Sequence, residues 1–343
     1  MINTYNLNKI NDWDEKAAIH ILSRTLFGYK QQDIDFALSL SLDEFVDNHL
    51  LADRPEPTPP FWVYDSSSDN AAERTRELTY WWYDQMLRQG YQSRFDDGEK
   101  TILGETGNFG YVDVVDIIFR QQVTAIYLCR QLYKEFIYIV PDENFVNELA
   151  DLLRQNDYQL KPVLSALLKS TYFHSEEIRG SKIKNPVEFI VQVMRQFNIN
   201  APDFNYMRQT AEQLEQKLFD PPNASGWDGD KRWISTNTLP ARNIFSDSVI
   251  EGEKPNGSEL TFTINLVDYA RTFPDPENAV ALVNDVAKIF IQFPLSEKRI
   301  EYLLETLLDG AEVYDWSTFD LQAENRLKLF FKALMRLSEY QLS

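Results

Sequence analysis

Apolar residues recur every three or four positions along almost the whole chain, and this periodicity restricts the fold more than any other feature. Such spacing places the apolar side chains on one face of an α-helix. Only 12 of the 343 residues are glycine, which also favours long helices over a turn-rich β fold. The pattern predicts helices at residues 14–27, 32–50, 72–88, 111–138, 145–155, 158–171, 186–197, 207–218, 277–293, 296–309 and 319–340.

Several helix ends can be read from single residues. Asn185 followed by proline is a helix start, because the Asn side chain accepts from free backbone N–H groups and proline needs no partner there. Gly28 is suited to closing the first helix, and Ser296 and Gly310 are suited to capping and closing a late one. We expect the helix predicted at residues 111–138 to be interrupted near Gln121 and Gln122.

The fold expected from these segments is all-α, a single large orthogonal array of helices with little or no β structure. Residues 259–266 alternate apolar and polar side chains and are the one fair strand candidate. We expect residues 1–250 to form the main helical domain. Residues 251–343 are expected to form a C-terminal helical subdomain packed on it.

The charge of the chain limits its partners. The formal net charge is −19, with 34 Lys and Arg against 53 Asp and Glu. A field of this sign repels phosphate backbones and anionic membrane surfaces, so we expect no nucleic-acid partner. No apolar run reaches the length of a membrane span, so no membrane insertion is expected either. The polar first 16 residues contain no signal-peptide core, which favours a cytoplasmic protein unless a leader has been removed.

Four segments, in chain order, carry a resemblance to a known family. They are residues 17–28 (AAIHILSRTLFG), residues 95–117 (FDDGEKTILGETGNFGYVDVVDI), residues 182–189 (KIKNPVEF, followed by an arginine at 195), and residues 218–243, which contain LFDPPNASGW, WIST and RN. Together they resemble DUF1800, a family of bacterial proteins without an established activity. The resemblance covers most of residues 15–250.

The chain departs from the pattern of that family in one place. Family members usually carry a long central stretch with a His-rich helix and an Arg- and Glu-rich segment. Here the Trp-rich segment at residues 80–86 leads almost directly to residues 94–96, and the sequence has only three histidines. A catalytic or metal centre located in that stretch therefore cannot be assigned to this chain by resemblance.

Metal sites have weak support in the sequence. The three histidines are far apart, and the single cysteine, Cys129, lies in an apolar helical segment where a buried role is expected. The acidic loops offer hard oxygen ligands, so Ca²⁺ or Mg²⁺ is the metal they would suit. The low-ranking candidate ligands are Asp96, Asp97, Asp228 and Asp230; no other cofactor is predicted.

The loop at residues 219–233 has two alternative interpretations. Trp227 and Trp233 can form the walls of a pocket for a sugar ring or apolar group, with Asn223 and Asp228 as polar contacts. Arg242 completes the set of candidate pocket or binding residues. Alternatively, the loop is a rigid brace that holds helices together, with Arg242 pairing with a carboxylate and capping a helix C-terminus.

Two classes of function remain open at this point. The sequence contains no nucleophile motif and no cofactor motif, which favours a structural or protein-interaction role. The alternative is a hydrolase-like or divalent-metal-dependent enzyme with an acidic, Trp-lined site.

Overall fold

The computed structural model describes residues 7–53, 98–200, 202–223 and 226–343, and these residues are predominantly α-helical. The prediction of an α fold is therefore confirmed. The predicted helix at 72–88 lies outside the described residues. The described helices are α1 (Glu15–Thr25), α2 (Gln31–Leu38), the π-helical α3 (Glu44–Leu50), α4 (Tyr111–Arg120), α5 (Gln122–Phe136), α6 (Glu143–Gln155), α7 (Leu160–Lys169), α8 (Pro186–Gln196), α9 (Phe204–Gln213), α10 (Thr238–Glu251), α11 (Leu266–Ala270), α12 (Ala279–Phe290), α13 (Glu297–Leu308) and α14 (Ala323–Arg336).

The chain divides into two compact units. One consists of Met1–Leu51 and Ile126–Ser343, and the other of Ala52–Ala125. The sequence predicted a domain boundary between residues 250 and 251. This boundary differs from those of the two units, and the predicted division into residues 1–250 and 251–343 stays a prediction.

Local capping explains why several helices begin where they do. The Asn185 side chain accepts from the backbone N–H of Glu188, and the Glu188 carboxylate accepts from the backbone N–H of Asn185. This reciprocal capping box confirms the predicted start of α8. Ser296 takes the N-cap position of α13 but makes no side-chain cap bond. The expected break lies at Gln121, which is extended between α4 and α5.

The helix predicted over residues 32–50 is two helices. α2 ends at Leu38, and Ser39 donates from its hydroxyl to the carbonyl of Phe36. The Ser41 hydroxyl then accepts from the backbone N–H of Glu44, at the start of α3. Serine side chains that bond to nearby backbone groups compete with helix continuation, which explains the interruption.

The small β structure lies elsewhere than the sequence suggested. Residues 259–266 form no strand, and Glu259 makes only an isolated bridge with Glu253. The sheet described is instead a hairpin of β1 (Lys100–Ile102) and β2 (Glu105–Gly107). Its two-residue turn has positive φ at both Leu103 and Gly104, as a type I′ turn requires.

An aromatic core joins α8, α10, α12 and α14 in the larger unit. The Phe189 ring centroid lies 5.9 Å from that of Phe245 and 6.0 Å from that of Tyr340. Phe331 of α14 lies 5.3 Å from Phe197 and 5.6 Å from Phe290 by the same measure. Aromatic pairs at these distances add to the stability given by burial.

Candidate functional site

Three of the predicted site residues, Trp227, Asp228 and Trp233, line an open cleft. Trp227, Asp228 and Trp233 line a cavity of about 610 Å³, together with residues from the end of α9 onwards. Trp233 is buried, and its carbonyl accepts from the hydroxyl of Thr238 at the start of α10. Gly229 has a φ of 72°, which turns the chain into the 3-10 helix that carries Trp233. The cleft volume falls in the range of small-molecule sites.

Four charged residues of this cleft form two ion pairs. The Asp228 carboxylate forms an ion pair with Arg232, and Lys217 lies 2.6 Å from the carboxylate of Asp220. These pairs are exposed, so each adds little to stability. Asp230 begins the 3-10 helix, and Asn223 is exposed on the preceding loop; neither lines the cavity. The structure thus brings Asp228 together with the two tryptophans.

Arg242 has a different place from the one expected. It is fully buried in α10 and does not line the cleft. Its guanidinium donates to the carbonyl of Lys184 at 2.7 Å and to Oε1 of Gln341 at 3.3 Å, and lies 5.0 Å from the Phe189 ring centroid. No described carboxylate forms an ion pair with Arg242, so the expected carboxylate partner is not found there, and two oxygen acceptors and the Phe189 ring contact the guanidinium instead. Burial lowers the pKa of Arg242 to about 10.

The structure describes two of the four candidate metal ligands, Asp228 and Asp230. Asp96 and Asp97 lie outside the described residues. Among residues 98–200, 202–223 and 226–343 and the N-terminal 7–53, no three His, Cys, Asp or Glu side chains gather where they could hold an ion. The Ca²⁺ or Mg²⁺ site at Asp228 and Asp230 stays a prediction. Cys129 is buried as expected, and burial raises the pKa of its thiol to about 11.

Two histidines that are distant in sequence meet in the core. His20 of α1 and His174 have ring centroids 5.7 Å apart. Nε2 of His20 donates to the carbonyl of Phe173 at 2.8 Å, and Nε2 of His174 donates to that of Leu168 at 2.9 Å. A neutral ring that donates from Nε2 carries its lone pair on Nδ1. Both Nδ1 atoms are buried and accept no hydrogen bond from a described residue.

Burial and positive charge keep these histidines neutral. The pKa of His174 is lowered to about 4, mainly by desolvation and also by the charge of Arg179, although the hydrogen bond to Leu168 opposes this. The pKa of His20 falls well below its usual value, first through desolvation and then through Arg24. The sequence did not reveal this cluster, because residues about 150 positions apart form it.

Lys184 is a second buried ionisable group. Its ammonium nitrogen donates to the carbonyl of Tyr340 at 2.6 Å and lies 4.5 Å from the centroid of that ring. Desolvation, and then the charge of Arg242, lower the pKa of Lys184 to about 7. The backbone beside it pairs with residues 341–343, through an antiparallel bridge between Ile183 and Leu342. Polar groups therefore fasten the last residues of the sequence to the start of α8.

The smaller unit exposes an apolar stripe on α4. Ile117 is buried on one side of this helix, whereas the opposite side exposes Val112 (53%), Val115 (48%) and Ile118 (42%). Val123, just after the break, is exposed as well. We call Val112, Val115, Ile118 and Val123 the α4 face. Contiguous exposed apolar side chains are typical of protein-interaction surfaces.

A comparison with protein-family models gives a match. The model of the family described as a protein of unknown function (DUF1800) matches residues 90–342, most of the chain. The chain belongs to the DUF1800 family. A search of curated proteins gave no match, and neither did a search of solved structures. DUF1800 membership confirms the resemblance seen in the sequence, and the family description names no activity.

The DUF1800 match can be placed on the structure. It includes the β1–β2 hairpin with α4, the capped start of α8 and the Trp cleft, which are three of the four similar segments. The segment at residues 17–28, which forms α1, lies before the match. The match also runs past residue 250 and includes α11 to α14. No described helix is long and apolar enough to cross a membrane.

Proposed function

We propose that this DUF1800 chain has a structural or protein-interaction role and that the α4 face is its contact surface. The observation that carries the proposal is the exposure of Val112, Val115 and Ile118 on the side of α4 opposite the buried Ile117. A helix that buries apolar side chains on one side normally exposes polar ones on the other. Removing the exposed side chains from water against a partner would stabilise a complex.

The charge around the α4 face favours a basic partner. Asp113 and Asp116 flank the stripe on the same helix, and Arg120 is held in a bidentate pair by Glu105. The whole chain carries a net charge of −19, so a second copy would repel the first. The partner that fits is a protein with an apolar patch bordered by Lys and Arg. Such charge complementarity speeds association and selects the partner.

A binding experiment with matched variants tests this proposal. Val115→Asp places a charge in the centre of the α4 face, whereas Val140→Asp makes the same change at another exposed valine outside it. Proteins captured from a native lysate by the unaltered chain are identified, purified and measured in a two-component assay. We expect Val115→Asp to weaken binding at least tenfold, since buried unpaired charge costs several kcal/mol, and Val140→Asp to leave it unchanged.

Two results would reject the proposal. The first is a captured set of proteins, or a measured affinity, that is the same for both variants and the unaltered chain. The second is a homodimer that Val115→Asp dissociates, because the α4 face would then join identical acidic chains. Circular dichroism of each variant checks that the helices are retained.

The alternative role, a hydrolase-like or divalent-metal-dependent enzyme, is supported by the cleft. The cleft has a volume of about 610 Å³, and it combines two tryptophan walls with the polar group of Asp228. Small-molecule sites have these features. If Asp228 and Asp230 hold Ca²⁺ or Mg²⁺, the ion will raise the melting temperature and a chelator will reverse the rise. An Asp228→Asn variant must lose this response. An unchanged melting temperature in the unaltered chain rejects metal dependence.

A further inference from the structure

The cleft lined by Trp227 and Trp233, here called the Trp cleft, contains two indole N–H groups that no described residue accepts. Trp13 and Trp316, which lie elsewhere, donate from the same atom to backbone carbonyls. A buried tryptophan usually finds a hydrogen-bond partner for its N–H. Trp233 is only 7% exposed, so its free donor indicates a partner from outside the chain.

The donor of Trp233 can be reached from the cleft. Its Nε1 has no partner, and yet it is not one of the enclosed polar atoms of the described chain, so a water-sized atom can touch it. Gly229 lines the same cleft. A Cβ built on Gly229 would lie 3.8 Å from Nε1 of Trp233, which is the nearest atom outside its chain neighbours. The glycine therefore leaves the approach to this N–H open.

Carboxylates supply hydrogen-bond acceptors in the same cleft. Glu215 lines it and is exposed, and its carboxylate forms no ion pair or hydrogen bond with any described residue. Asp220 and Asp228 each pair with one basic side chain. A carboxylate has about four acceptor sites, so these two can accept further hydrogen bonds. A ligand that satisfies the cleft must both donate and accept.

The charges and the free donors together restrict the class of ligand. Four acidic and two basic side chains line the cleft, a net charge of −2 that disfavours anions such as phosphorylated sugars. A cation or a purely apolar molecule would displace water from the indole N–H groups without supplying an acceptor, which weakens binding. A hydroxyl group donates and accepts at once. The ligand that fits is neutral and carries several hydroxyl groups.

We propose that the Trp cleft binds a neutral sugar ring. Its hydroxyl oxygens accept from the N–H groups of Trp233 and Trp227, and its hydroxyl groups donate to the carboxylates of Glu215 and Asp228. The indole rings supply apolar surface for the C–H face of the sugar. The proposal rests on the cleft being the small-molecule site of the alternative role above, and it names the class of ligand. It requires neither a metal ion nor the α4 face.

The indole N–H signals in ¹H–¹⁵N spectra of the unaltered full chain test the proposal directly. The probes are the methyl glycosides of glucose, galactose, mannose and N-acetylglucosamine. Maltotetraose and cellotetraose are added to distinguish a free ring from a ring within a chain. We expect at least one probe to shift the signals of Trp227 and Trp233 in a saturable way. The signals of Trp13 and Trp316 should stay unchanged, because their N–H groups are already bonded.

Three variants test the location and the role of the donor. Trp233→Phe keeps an aromatic ring but removes the N–H, and should weaken sugar binding about fivefold. Trp227→Ala removes one apolar wall and should weaken it about tenfold. Phe219→Ala is the matched control, because Phe219 is a 96% exposed aromatic residue near the cleft that does not line it, and affinity should be unchanged. Melting curves must show that Trp233→Phe, a change at a buried position, is folded.

Four outcomes would overturn the proposal. The first is the absence of saturable shifts of both cleft signals up to the solubility limit of every sugar probe. The second is cyclohexanol binding as tightly as the sugars, because the cleft would then select for an apolar ring. The third is tetramethylammonium binding more tightly than any sugar, which would make the cleft a cation site. The fourth is an equal loss of affinity in Phe219→Ala and Trp227→Ala.

The failure of this proposal can be distinguished from the failure of the roles proposed above. A chelator-sensitive rise in melting temperature without sugar shifts would reject the sugar and keep the metal-dependent role. Sugar binding without a response to Ca²⁺ or Mg²⁺ would support the sugar and reject the metal. Neither result depends on Val115→Asp, which tests the α4 face.

Discussion

The buried His20–His174 pair predicts a loss of stability in mild acid. The pKa of His174 is about 4 in the folded chain, against about 6.5 for an unfolded histidine. Between these values the unfolded chain binds more protons, so the free energy of unfolding decreases as the pH falls. This contribution is fully present above pH 6.5 and is lost as the pH falls to about 4.

The size of the effect follows from the pKa difference. Each pKa unit corresponds to about 1.4 kcal/mol, so His174 alone removes about 2 kcal/mol between pH 6.5 and about pH 5. The full loss near pH 4 is about 3 kcal/mol. His20 acts in the same direction, because its pKa is also lowered.

Urea denaturation of the unaltered chain and of His174→Gln measures the effect. Glutamine can still donate to the carbonyl of Leu168 but does not titrate. We expect the decrease in unfolding free energy from about pH 7 to pH 5 to be about 2 kcal/mol smaller in the variant. Carboxylates titrate in both proteins, so their contribution cancels in the difference. Equal decreases in the two proteins would refute the reasoning, as would a His174 signal that titrates near pH 6.5 in the folded chain.

Three further changes have defined outcomes. From about pH 7 to about pH 10, the unfolding free energy of the unaltered chain in urea melts should rise relative to that of Lys184→Met, because the pKa of Lys184 is lowered in the folded chain. The same pH dependence in both proteins would reject that assignment. Asn185→Ala should lower the free energy of unfolding by about 1 kcal/mol, because it removes the N-cap of α8. Ser296→Ala removes no cap bond and should lower it by much less in the same assay. Gly180→Ala should lower the melting temperature more than Gly310→Ala. Both glycines have a positive φ, but only at residue 180 would the added Cβ collide with a ring, that of Phe293. Equal decreases in melting temperature would contradict this expectation.

The helical class and several helix ends could be predicted because short-range features determine them. The start of α8 depends on Asn185 and the three residues after it, and the break before α5 is visible where the periodicity changes. By contrast, α10 was not predicted. Pro240 lies in the first turn of α10, where proline is accepted because its missing N–H has no partner.

The hairpin at residues 100–107 was missed for a related reason. Glycines around it made the segment resemble a loop, and its strands are only three residues long. The signal that could have revealed it is the Leu103–Gly104 turn, but leucine is unusual at positive φ. Residues 259–266 show the opposite error, because alternation without a partner strand does not form a sheet.

Only the part of the candidate site that comes from a single loop could be predicted from the sequence. Trp227, Asp228 and Trp233 lie within seven residues of one another, so one loop brings them to one cleft. The environment of Arg242 depends on Lys184 and Gln341, which tertiary packing brings to it. A single sequence contains no pattern that reveals contacts between such distant residues. The contact between His20 and His174 could not be predicted for the same reason.

The contacts of α1 have a consequence for how the chain is made. His20 bonds to Phe173 and Arg24 bonds to Ile178, across 153 and 154 positions of sequence. At a synthesis rate of about 5–20 residues per second, α1 emerges roughly 8–30 s before these partners exist. Its apolar side chains are open to water or to a chaperone for that time. Because such distant contacts also slow the final closure of a fold, we expect the N-terminal helix to dock late.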